Sequence, residues 1–254
     1  MKQFILLDIS DSVATITLNR PERHNSLIPE LLVQLLAALD EVEANEAVRV
    51  LVLRANGRSF STGGDVKAFY LQRANLAAYA QEIVGLLNDT ILRIASLRVP
   101  VITAVHGIVT GGSLGFLLAS DLVIATPNVT IQPWYAAVGF SPDGGWTAML
   151  PDIIGKQRAK EWLLLNKEVD AETAVSWGLI NKTVAPDTLE QEIQTMTTTL
   201  ATMKLGSLQR TKKLLFDSET AAQRLENERT EFVQQIMTEE ALMGMESFLS
   251  IAKS

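Results

Sequence analysis

The chain has 254 residues, of which 47% are hydrophobic and 20% are charged. This length and apolar content allow a sizeable core in one large or two small domains, which excludes disordered, collagen-like and low-complexity proteins. Because 29 Asp and Glu outnumber 22 Lys and Arg, the net charge is −7. That charge argues against nucleic acid or an anionic membrane as the main partner.

The cysteine and histidine content excludes several kinds of site. There is no cysteine, and His24 and His106 are the two histidines. We therefore expect no disulfide, no cysteine nucleophile and no metal site. The apolar run near the start ends at Asp8 and is too short for a signal-peptide core. We expect a soluble, cytoplasmic protein.

The hydrophobic pattern predicts strands alternating with helices along most of the chain. The predicted strands are Phe4–Ile9 and Val13–Leu18, which form a hairpin, then Val48–Leu53, Pro100–Val105 and Leu122–Ala125. Helical spacing predicts helices after Ser26, from Val66, over Leu76–Ser96 and from the Gly107–Gly112 loop to Ala119. From Lys156 onward the pattern is helical, with turns at Gly178 and Gly206. This order predicts an α/β fold with a largely parallel sheet and a helical C-terminal region.

Formal charge is nearly absent from one long stretch of the chain. Between Val99 and Pro142 the one charged side chain is Asp121. Proline and several glycines interrupt the stretch, so it does not resemble a membrane span. We interpret it as a buried part of the fold, in which Asp121 has a structural role.

The tripeptide Thr-Gly-Gly occurs twice, at Thr62–Gly64 and at Thr110–Gly112, each time after an apolar strand and before a helical segment. Glycines let backbone N–H groups approach a ligand closely, and the start of a helix adds unpaired donors. Two such loops could direct two N–H groups at one oxygen, as in an oxyanion hole. Ordinary strand–helix turns are the alternative. Phosphate binding is less favoured because neither loop matches a P-loop or dinucleotide motif.

These loops and the segments around them resemble the crotonase superfamily, the enoyl-CoA hydratase/isomerase family. The resemblance extends over nearly the whole chain, because the matching segments occur in the family's order. They are Ile16–Leu27, Gly57–Asp65, Val99–Gly107, Ser120-Asp121, Leu150-Pro151 and Trp177–Asn181.

The resemblance implies a ββα spiral core over residues 1–195, which binds and converts a coenzyme A thioester. It also implies a helical region over residues 196–254 that forms a homotrimer or a dimer of trimers. Coenzyme A enters as part of the substrate, and no separate cofactor is expected. In the last helix, Phe248 and Lys253 would lie in the region of contact across the trimer, near the coenzyme A site.

By the same resemblance, the thioester oxygen would lie between the backbone N–H groups of Gly64 and Gly112. The surrounding positions are assigned to substrate binding, with Asp65 also expected to anchor the first loop and Arg23 and Lys67 facing the phosphates. These positions are Arg23, His24, Ser61, Gly63, Asp65 and Lys67.

The sequence departs from the hydratases of this family at both of their catalytic glutamates. Gly115 stands at the first glutamate position, and Tyr135 lies close to the second. One acid remains nearby, Asp143 in a Pro-Asp-Gly-Gly turn, at the position resembling the single aspartate of the family's epoxyphenylacetyl-CoA and enoyl-CoA isomerases. One carboxylate can remove an α-proton and return it at the γ-carbon.

Four aromatic residues lie near Asp143 in the sequence: Trp134, Tyr135, Phe140 and Trp146. They predict an apolar acyl pocket, with ordinary core packing as the alternative. The leading hypothesis is an acyl-CoA isomerase that shifts a double bond or rearranges a ring, with Asp143 as proton shuttle. The alternatives are another reaction of the family, enoyl-CoA hydration or acyl-CoA hydrolysis, and a coenzyme A-binding subunit without turnover. For Asp143 itself, the alternative is an ordinary turn residue.

Overall fold

The computed structural model describes residues 2–251. The strands are β1 (Ile5–Ser10), β2 (Val13–Leu18), β3 (Val50–Ala55), β4 (Val101–Val105), β5 (Ile108–Thr110), β6 (Leu122–Ala125), β7 (Thr130–Gln132), β8 (Val169–Asp170) and β9 (Lys182–Thr183). The helices are α1 (Pro29–Ala44), α2 (Val66–Leu71), α3 (Leu76–Ser96), α4 (Leu114–Leu118), α5 (Tyr135–Val138), α6 (Leu150–Ile154), α7 (Lys156–Leu165), α8 (Ala171–Ser176), α9 (Leu189–Thr202), α10 (Leu205–Leu215), α11 (Ser218–Ile236) and α12 (Glu239–Ile251).

The larger sheet has the strand order β1-β2-β3-β4-β6-β9. The hairpin pairs β1 with β2 antiparallel, in the register that places Ile5 opposite Leu18, and the remaining neighbours are parallel. Asp11 and Ser12 form the hairpin turn with positive φ angles of 47° and 69°, as two-residue hairpin loops require. The predicted hairpin and largely parallel sheet are confirmed.

Helices cover both faces of this sheet, which explains why β3 and β4 are apolar on both sides. On one face α1 and α3 bury leucine and isoleucine side chains at helical spacing. On the other face Val50, Val52 and Ile102 pack with Ile193 of α9. The charge-poor stretch is therefore largely interior, and Asp121 accepts a hydrogen bond from the Val101 N–H at 2.8 Å.

A smaller sheet of order β5-β7-β8 lies beside the site. Its first strand, β5, falls in a segment that the sequence predicted to be only a loop. A parallel bridge between Ser61 and Val109 joins this strand to the first Thr-Gly-Gly loop. Such short strands escape a periodicity analysis because three residues do not establish an alternation.

The C-terminal half differs from its prediction at two points. The region after Lys156 contains the short strands β8 and β9 as well as helices. Gly206 is not in a turn but lies inside α10. The helical conformation is interrupted before it, at Met203 and Lys204, between α9 and α10. The predicted division between residues 195 and 196 falls within α9, and it stays a prediction.

The last two helices complete the fold around the site. α11 packs along α3, and α12 lies across α2 and α5 of the same chain. The contact with α5 is close, because Gly244 of α12 lies against the carbonyl oxygen of Val138. The contact of this helix across a trimer, which the family resemblance implies, stays a prediction. No helix within residues 2–251 has the length and apolar character needed to span a membrane.

Adding a methyl group should destabilise α12 at Gly244, which contacts α5, and should stabilise α10 at Gly206, which makes no such contact. In Gly244→Ala the new Cβ overlaps the Val138 backbone, so α12 has to move away, and the amides of residues 239–251 should exchange faster with deuterated solvent. In the control Gly206→Ala the new Cβ meets nothing within 4 Å. That control should raise the free energy of unfolding by up to about 1 kcal/mol. Unchanged exchange in Gly244→Ala would contradict the packing described here.

Candidate active site

A cavity of about 1000 Å³ opens beside the two Thr-Gly-Gly loops, between α2, α5, α11 and α12. Its wall is largely apolar, with polar groups concentrated at the loops and at the mouth. The structure brings most of the predicted site residues together on this wall: Arg23, His24, Gly64, Asp65, Lys67, Gly112, Trp134, Tyr135, Phe140 and Asp143.

The first loop is held by backbone hydrogen bonds to the segment before α1. The Leu27 N–H donates to the Gly63 carbonyl at 2.7 Å, and the Asp65 N–H donates to the Leu27 carbonyl at 3.1 Å. Behind the loop, the buried Ser61 hydroxyl donates to the Asn25 carbonyl at 2.8 Å. Ser61 and Gly63 do not line the cavity. The structure thus gives these two residues a supporting place instead of the substrate contact that the sequence predicted.

The second loop lies directly against the first. A Cβ added at Gly63 would come within 2.5 Å of the Thr110 carbonyl oxygen and 3.1 Å of the Gly111 Cα. Gly63 also has a φ of +68°, so both the space and the conformation favour glycine. The two loops pack backbone to backbone, and this contact places Gly64 and Gly112 on the same cavity.

Two backbone N–H groups are left free at this point. Within residues 2–251, neither the Gly64 nor the Gly112 amide has a hydrogen-bond partner. Gly112 is buried and Gly64 is half-buried, and a buried N–H group is nearly always paired. These two donors on one cavity wall therefore offer a place for an acceptor atom of a ligand. Chemically, the pair can bind an oxygen that gains negative charge.

Asp143 reaches this region because its turn packs on the second loop. Gly144 has a φ of +65°, and a Cβ there would come within 2.5 Å of both the Cα and the carbonyl oxygen of Gly112. The Asp143 carboxylate lies beside Gly112, its Oδ1 and Oδ2 being 3.0 and 3.3 Å from where a Gly112 Cβ would stand. A side chain at either glycine would therefore separate the carboxylate from the loop.

Tyr135 of α5 orients the carboxylate of Asp143. Its hydroxyl group lies 2.6 Å from Oδ1, to which it donates, and 3.0 Å from the Asp143 carbonyl oxygen. Oδ2 has no hydrogen-bond partner in the part of the chain that the structure describes. Tyr135, predicted as a substrate-binding residue, thus contacts the acid directly and leaves one carboxylate oxygen for chemistry.

The electrostatic environment makes Asp143 an unusually weak acid. Burial in the apolar cavity raises its pKa to about 7; the Tyr135 hydrogen bond opposes the rise, and the charge of Glu228 adds to it. Burial and the neighbouring Asp143 charge raise the pKa of Tyr135 well above its ordinary value. Tyr135 therefore remains a hydrogen-bond donor, while Asp143 can gain or lose a proton near neutral pH.

Asp65, the second acid near the loops, uses its carboxylate to cap a helix and to pair with two arginines. Its carboxylate caps α2 by accepting from the Ala68 N–H at 3.2 Å, and it pairs with Arg20 at 3.0 Å and Arg23 at 3.1 Å. Burial alone would raise the pKa of Asp65, but the two guanidinium groups outweigh it and hold the pKa below its usual value. Asp65 anchors the first loop, as predicted, and it also holds Arg23 at the cavity mouth.

The remaining predicted basic residues also lie at the cavity mouth. Lys67 is exposed on the wall of the cavity. The His24 ring lies 3.1 Å from the Ser59 hydroxyl, and the His24 backbone carbonyl accepts a hydrogen bond from the Thr62 N–H at 3.1 Å. His24 thus ties the loop to the segment that carries Arg23.

Aromatic rings form the apolar end of the cavity. Phe140 packs edge to face with Phe69 and Phe232, at centroid distances of 5.9 and 5.5 Å. Nearer the mouth, Trp134 contacts Phe248 of α12 at 6.0 Å. Phe248 therefore lies on its own chain's cavity, whereas Lys253 lies outside the described residues.

Two further residues, Trp146 and Glu228, support the site, and sequence reasoning missed the second. Trp146 is fully buried, and its indole N–H donates to the Gly111 carbonyl at 2.8 Å. Glu228 of α11 is buried and accepts hydrogen bonds from the turn that follows Asp143. Trp146, which the sequence places near Asp143 as a candidate for the acyl pocket, does not line the cavity and supports the second loop from behind. For Glu228, an acid on a helix far along the chain, the sequence contains no such signal.

The position expected for the first hydratase glutamate is filled. A Cβ at Gly115 would overlap the Ile91 side chain and lie 2.7 Å from the Gly144 carbonyl oxygen. Because α3 and the Asp143 turn close over Gly115, the site has no room for a longer side chain there.

Comparisons with known proteins agree with this fold. The chain is 34% identical over 221 residues to 1,2-epoxyphenylacetyl-CoA isomerase from Escherichia coli, covering 87% of this chain and 84% of that protein. It is 33% identical to 4-chlorobenzoyl coenzyme A dehalogenase-2 from an Arthrobacter species, over 70% of this chain and 65% of that protein. The structure superposes on enoyl-CoA hydratase from Bacillus halodurans with a TM-score of 0.92 at 26% identity, over 96% of this chain and 100% of that one.

These three proteins are named for three different reactions. The comparisons therefore show a shared family and fold, and they do not single out one reaction. The family model described as enoyl-CoA hydratase/isomerase matches residues 8–253. The α/β fold is the crotonase fold, with helices at its C-terminal end. The chain belongs to the enoyl-CoA hydratase/isomerase family.

Proposed function

We propose that the protein is an acyl-CoA isomerase that moves a double bond, or rearranges a ring, through a thioester enolate, with Asp143 as the proton shuttle. The observation that carries the proposal is the placement of the buried Asp143 carboxylate beside the Gly112 amide. Among the described residues this carboxylate has no cation partner, and its Oδ2 accepts no hydrogen bond. Coenzyme A is the carrier portion of the substrate, and Arg23, His24 and Lys67 surround the mouth through which its phosphates would enter.

In the proposed reaction, the thioester carbonyl oxygen accepts hydrogen bonds from the Gly64 and Gly112 amides. Asp143 Oδ2 removes a proton from the α-carbon, and the electrons move into the carbonyl oxygen to form a dienolate. The two amides stabilise that negative charge, and a loss of one such donor costs about 3–4 kcal/mol in other enzymes. The protonated Asp143 then returns the proton at the γ-carbon, which leaves the double bond conjugated with the thioester.

The carboxylates on the cavity wall favour isomerisation over hydration. Asp65 is paired with two arginines, Glu22 with Lys2, and Glu246 accepts a hydrogen bond from Tyr70. Glu22 and Glu246 are also exposed, so among the described acids on this wall Asp143 alone is buried without a cation partner. Hydration by two glutamates would need a second carboxylate, and the lack of space at Gly115 supports the proposal that water addition does not occur.

Assembly as a homotrimer or a dimer of trimers, which the family resemblance implies, remains part of the proposal. Large apolar side chains are exposed on α7 and α10, and burial against other copies of the chain would cover them. These side chains are Leu164, Leu165, Leu214 and Leu215.

Asp143→Asn should abolish isomerisation of a β,γ-enoyl-CoA. Because the amide cannot accept the α-proton, we expect kcat to fall by about 10²–10⁴-fold, with binding of the thioester retained. The assay follows formation of the conjugated thioester and, in D₂O, incorporation of deuterium at the α-carbon. The same change at an exposed aspartate, Asp187→Asn, is the matched control and should leave both rates unaltered.

Three results of this assay would contradict the proposal. Hydration of an α,β-enoyl-CoA that survives Asp143→Asn would show a hydratase. Release of free coenzyme A would show a hydrolase. Binding of thioesters without isomerisation or α-proton exchange in the wild-type protein would show a subunit without turnover.

The pKa of Asp143 predicts an acidic limb in the pH profile of kcat/KM. The carboxylate must be ionised to remove the α-proton, so kcat/KM should rise with pH and level off above a midpoint near 7. Below the midpoint the rate should fall about tenfold per pH unit, as expected for one titrating base. Steady-state rates between pH 5 and 9, with protein stability checked at each pH, measure this. A midpoint near 4, the ordinary value for aspartate, would contradict the buried environment.

The same pKa predicts that Asp143 destabilises the fold at neutral and higher pH. Its pKa rises from 3.8 in the unfolded chain to about 7 in the folded protein. Its contribution to stability is therefore present below pH 4 and is lost as the pH rises to 7. Asp143→Asn should be more stable than wild type by a few kcal/mol at pH 8 and by less at pH 5. Urea unfolding at the two pH values measures the difference, and an equal difference at both would contradict this linkage.

A further inference from the structure

We infer that Glu228 is a positioning residue for the proposed proton transfer, because its carboxylate on α11 fixes the turn that presents Asp143 to the cavity. The inference rests on the proposed function. Glu228 belongs to the helical C-terminal region and does not touch the cavity, so it would act on the reaction through Asp143 and not through the substrate.

The contacts of Glu228 all go to the turn that follows Asp143. Its Oε2 accepts from the Gly145 N–H at 2.7 Å. Its Oε1 accepts from the Thr147 N–H at 2.6 Å, the Thr147 hydroxyl at 2.8 Å and the Ala148 N–H at 2.9 Å. Both carboxylate oxygens are therefore used, and three backbone donors of one turn converge on a single side chain.

Burying a carboxylate costs free energy unless strong donors surround it. Glu228 is 4% exposed, and burial raises its pKa while the hydrogen bonds from the turn oppose that rise. Backbone N–H groups that converge in a turn form an anion-binding concavity. A neutral glutamine could not replace this carboxylate, because its NH₂ group would face donors that require an acceptor.

The turn is held between Glu228 and the second Thr-Gly-Gly loop. On the loop side, Gly144 packs on the Gly112 backbone and the Trp146 indole N–H donates to the Gly111 carbonyl. On the helix side, Glu228 holds Gly145 and the following residues. Asp143 immediately precedes this doubly held turn, so a shift of the turn displaces its carboxylate from the substrate.

Glu228 also contributes charge to the site. Its carboxylate opposes ionisation of Asp143, which adds to the effect of burial. The other titratable group at Asp143 is the Tyr135 hydroxyl, from α5. One turn earlier on α11, Arg224 binds the Ala148 carbonyl and pairs with Asp152 from α6. The buried positions of α3, which packs along α11, are apolar apart from Asn88 and Thr90, so α3 presents no titratable side chain there.

The test compares Glu228→Gln with Glu231→Gln, a matched change at an exposed position of the same helix. Asp143 is titrated without substrate by NMR of ¹³C-carboxyl aspartate, its signal being assigned through its loss in Asp143→Asn. In Glu228→Gln we expect the Asp143 midpoint to move down by on the order of one pH unit, because a like charge is removed. We also expect kcat to fall by roughly 10- to 100-fold with a smaller change in KM, because the base is misplaced. Glu231→Gln should match the wild type.

A wild-type kcat together with an unchanged Asp143 midpoint in a folded Glu228→Gln protein would overturn the inference, as would equal changes in Glu231→Gln. If Glu228→Gln does not fold, Glu228→Asp keeps the charge and withdraws it from the turn. A lowered kcat with a near wild-type midpoint supports positioning, and an unchanged kcat overturns it. Absence of isomerisation in the wild type contradicts the proposed function, whereas the NMR titration still tests Glu228.

Discussion

The carboxylate of Asp143 is buried in an apolar cavity against the backbone of Gly112, and the rest of the site depends on keeping it there. The charged group that influences it is a second carboxylate, Glu228, and not a cation, so ionisation is opposed and the pKa rises toward neutrality. Asp65 shows the opposite case within the same cavity: two arginines hold it ionised, and its pKa falls. The protein thus uses one acid as an anchor and leaves the other able to exchange a proton.

Backbone contact between glycines makes this burial possible. Gly63 meets the second loop, and Gly144 meets Gly112, each at a distance that excludes a Cβ. These contacts leave the Gly64 and Gly112 amides without a hydrogen-bond partner among the described residues, and they place a carboxylate beside Gly112. An enolate needs stabilisation of its oxygen and a base at its carbon, and the same packing supplies both. Backbone packing between the loops therefore forms the site, and the hydrogen bond from Tyr135 orients the Asp143 carboxylate.

The C-terminal helices complete the site from outside the sheet. α11 brings Phe232 to the apolar wall and Glu228 to the turn behind Asp143, while α12 brings Phe248 to the mouth beside Trp134. α12 thus lines the cavity of its own chain.

The sequence by itself determined the larger strands and helices, the family, the two loops and the candidate acid, because local periodicity and short glycine motifs record these directly. It did not determine the short strands or the contacts of the last helix with its own chain. Nor did it show that Ser61 supports the first loop and that Tyr135 binds the Asp143 carboxylate. It contained no signal for Glu228. Those features depend on which distant segments of the chain meet in space, and only the tertiary structure decided that. The reason is that packing and burial set the hydrogen bonds and the pKa of each side chain, whereas its neighbours in the sequence do not.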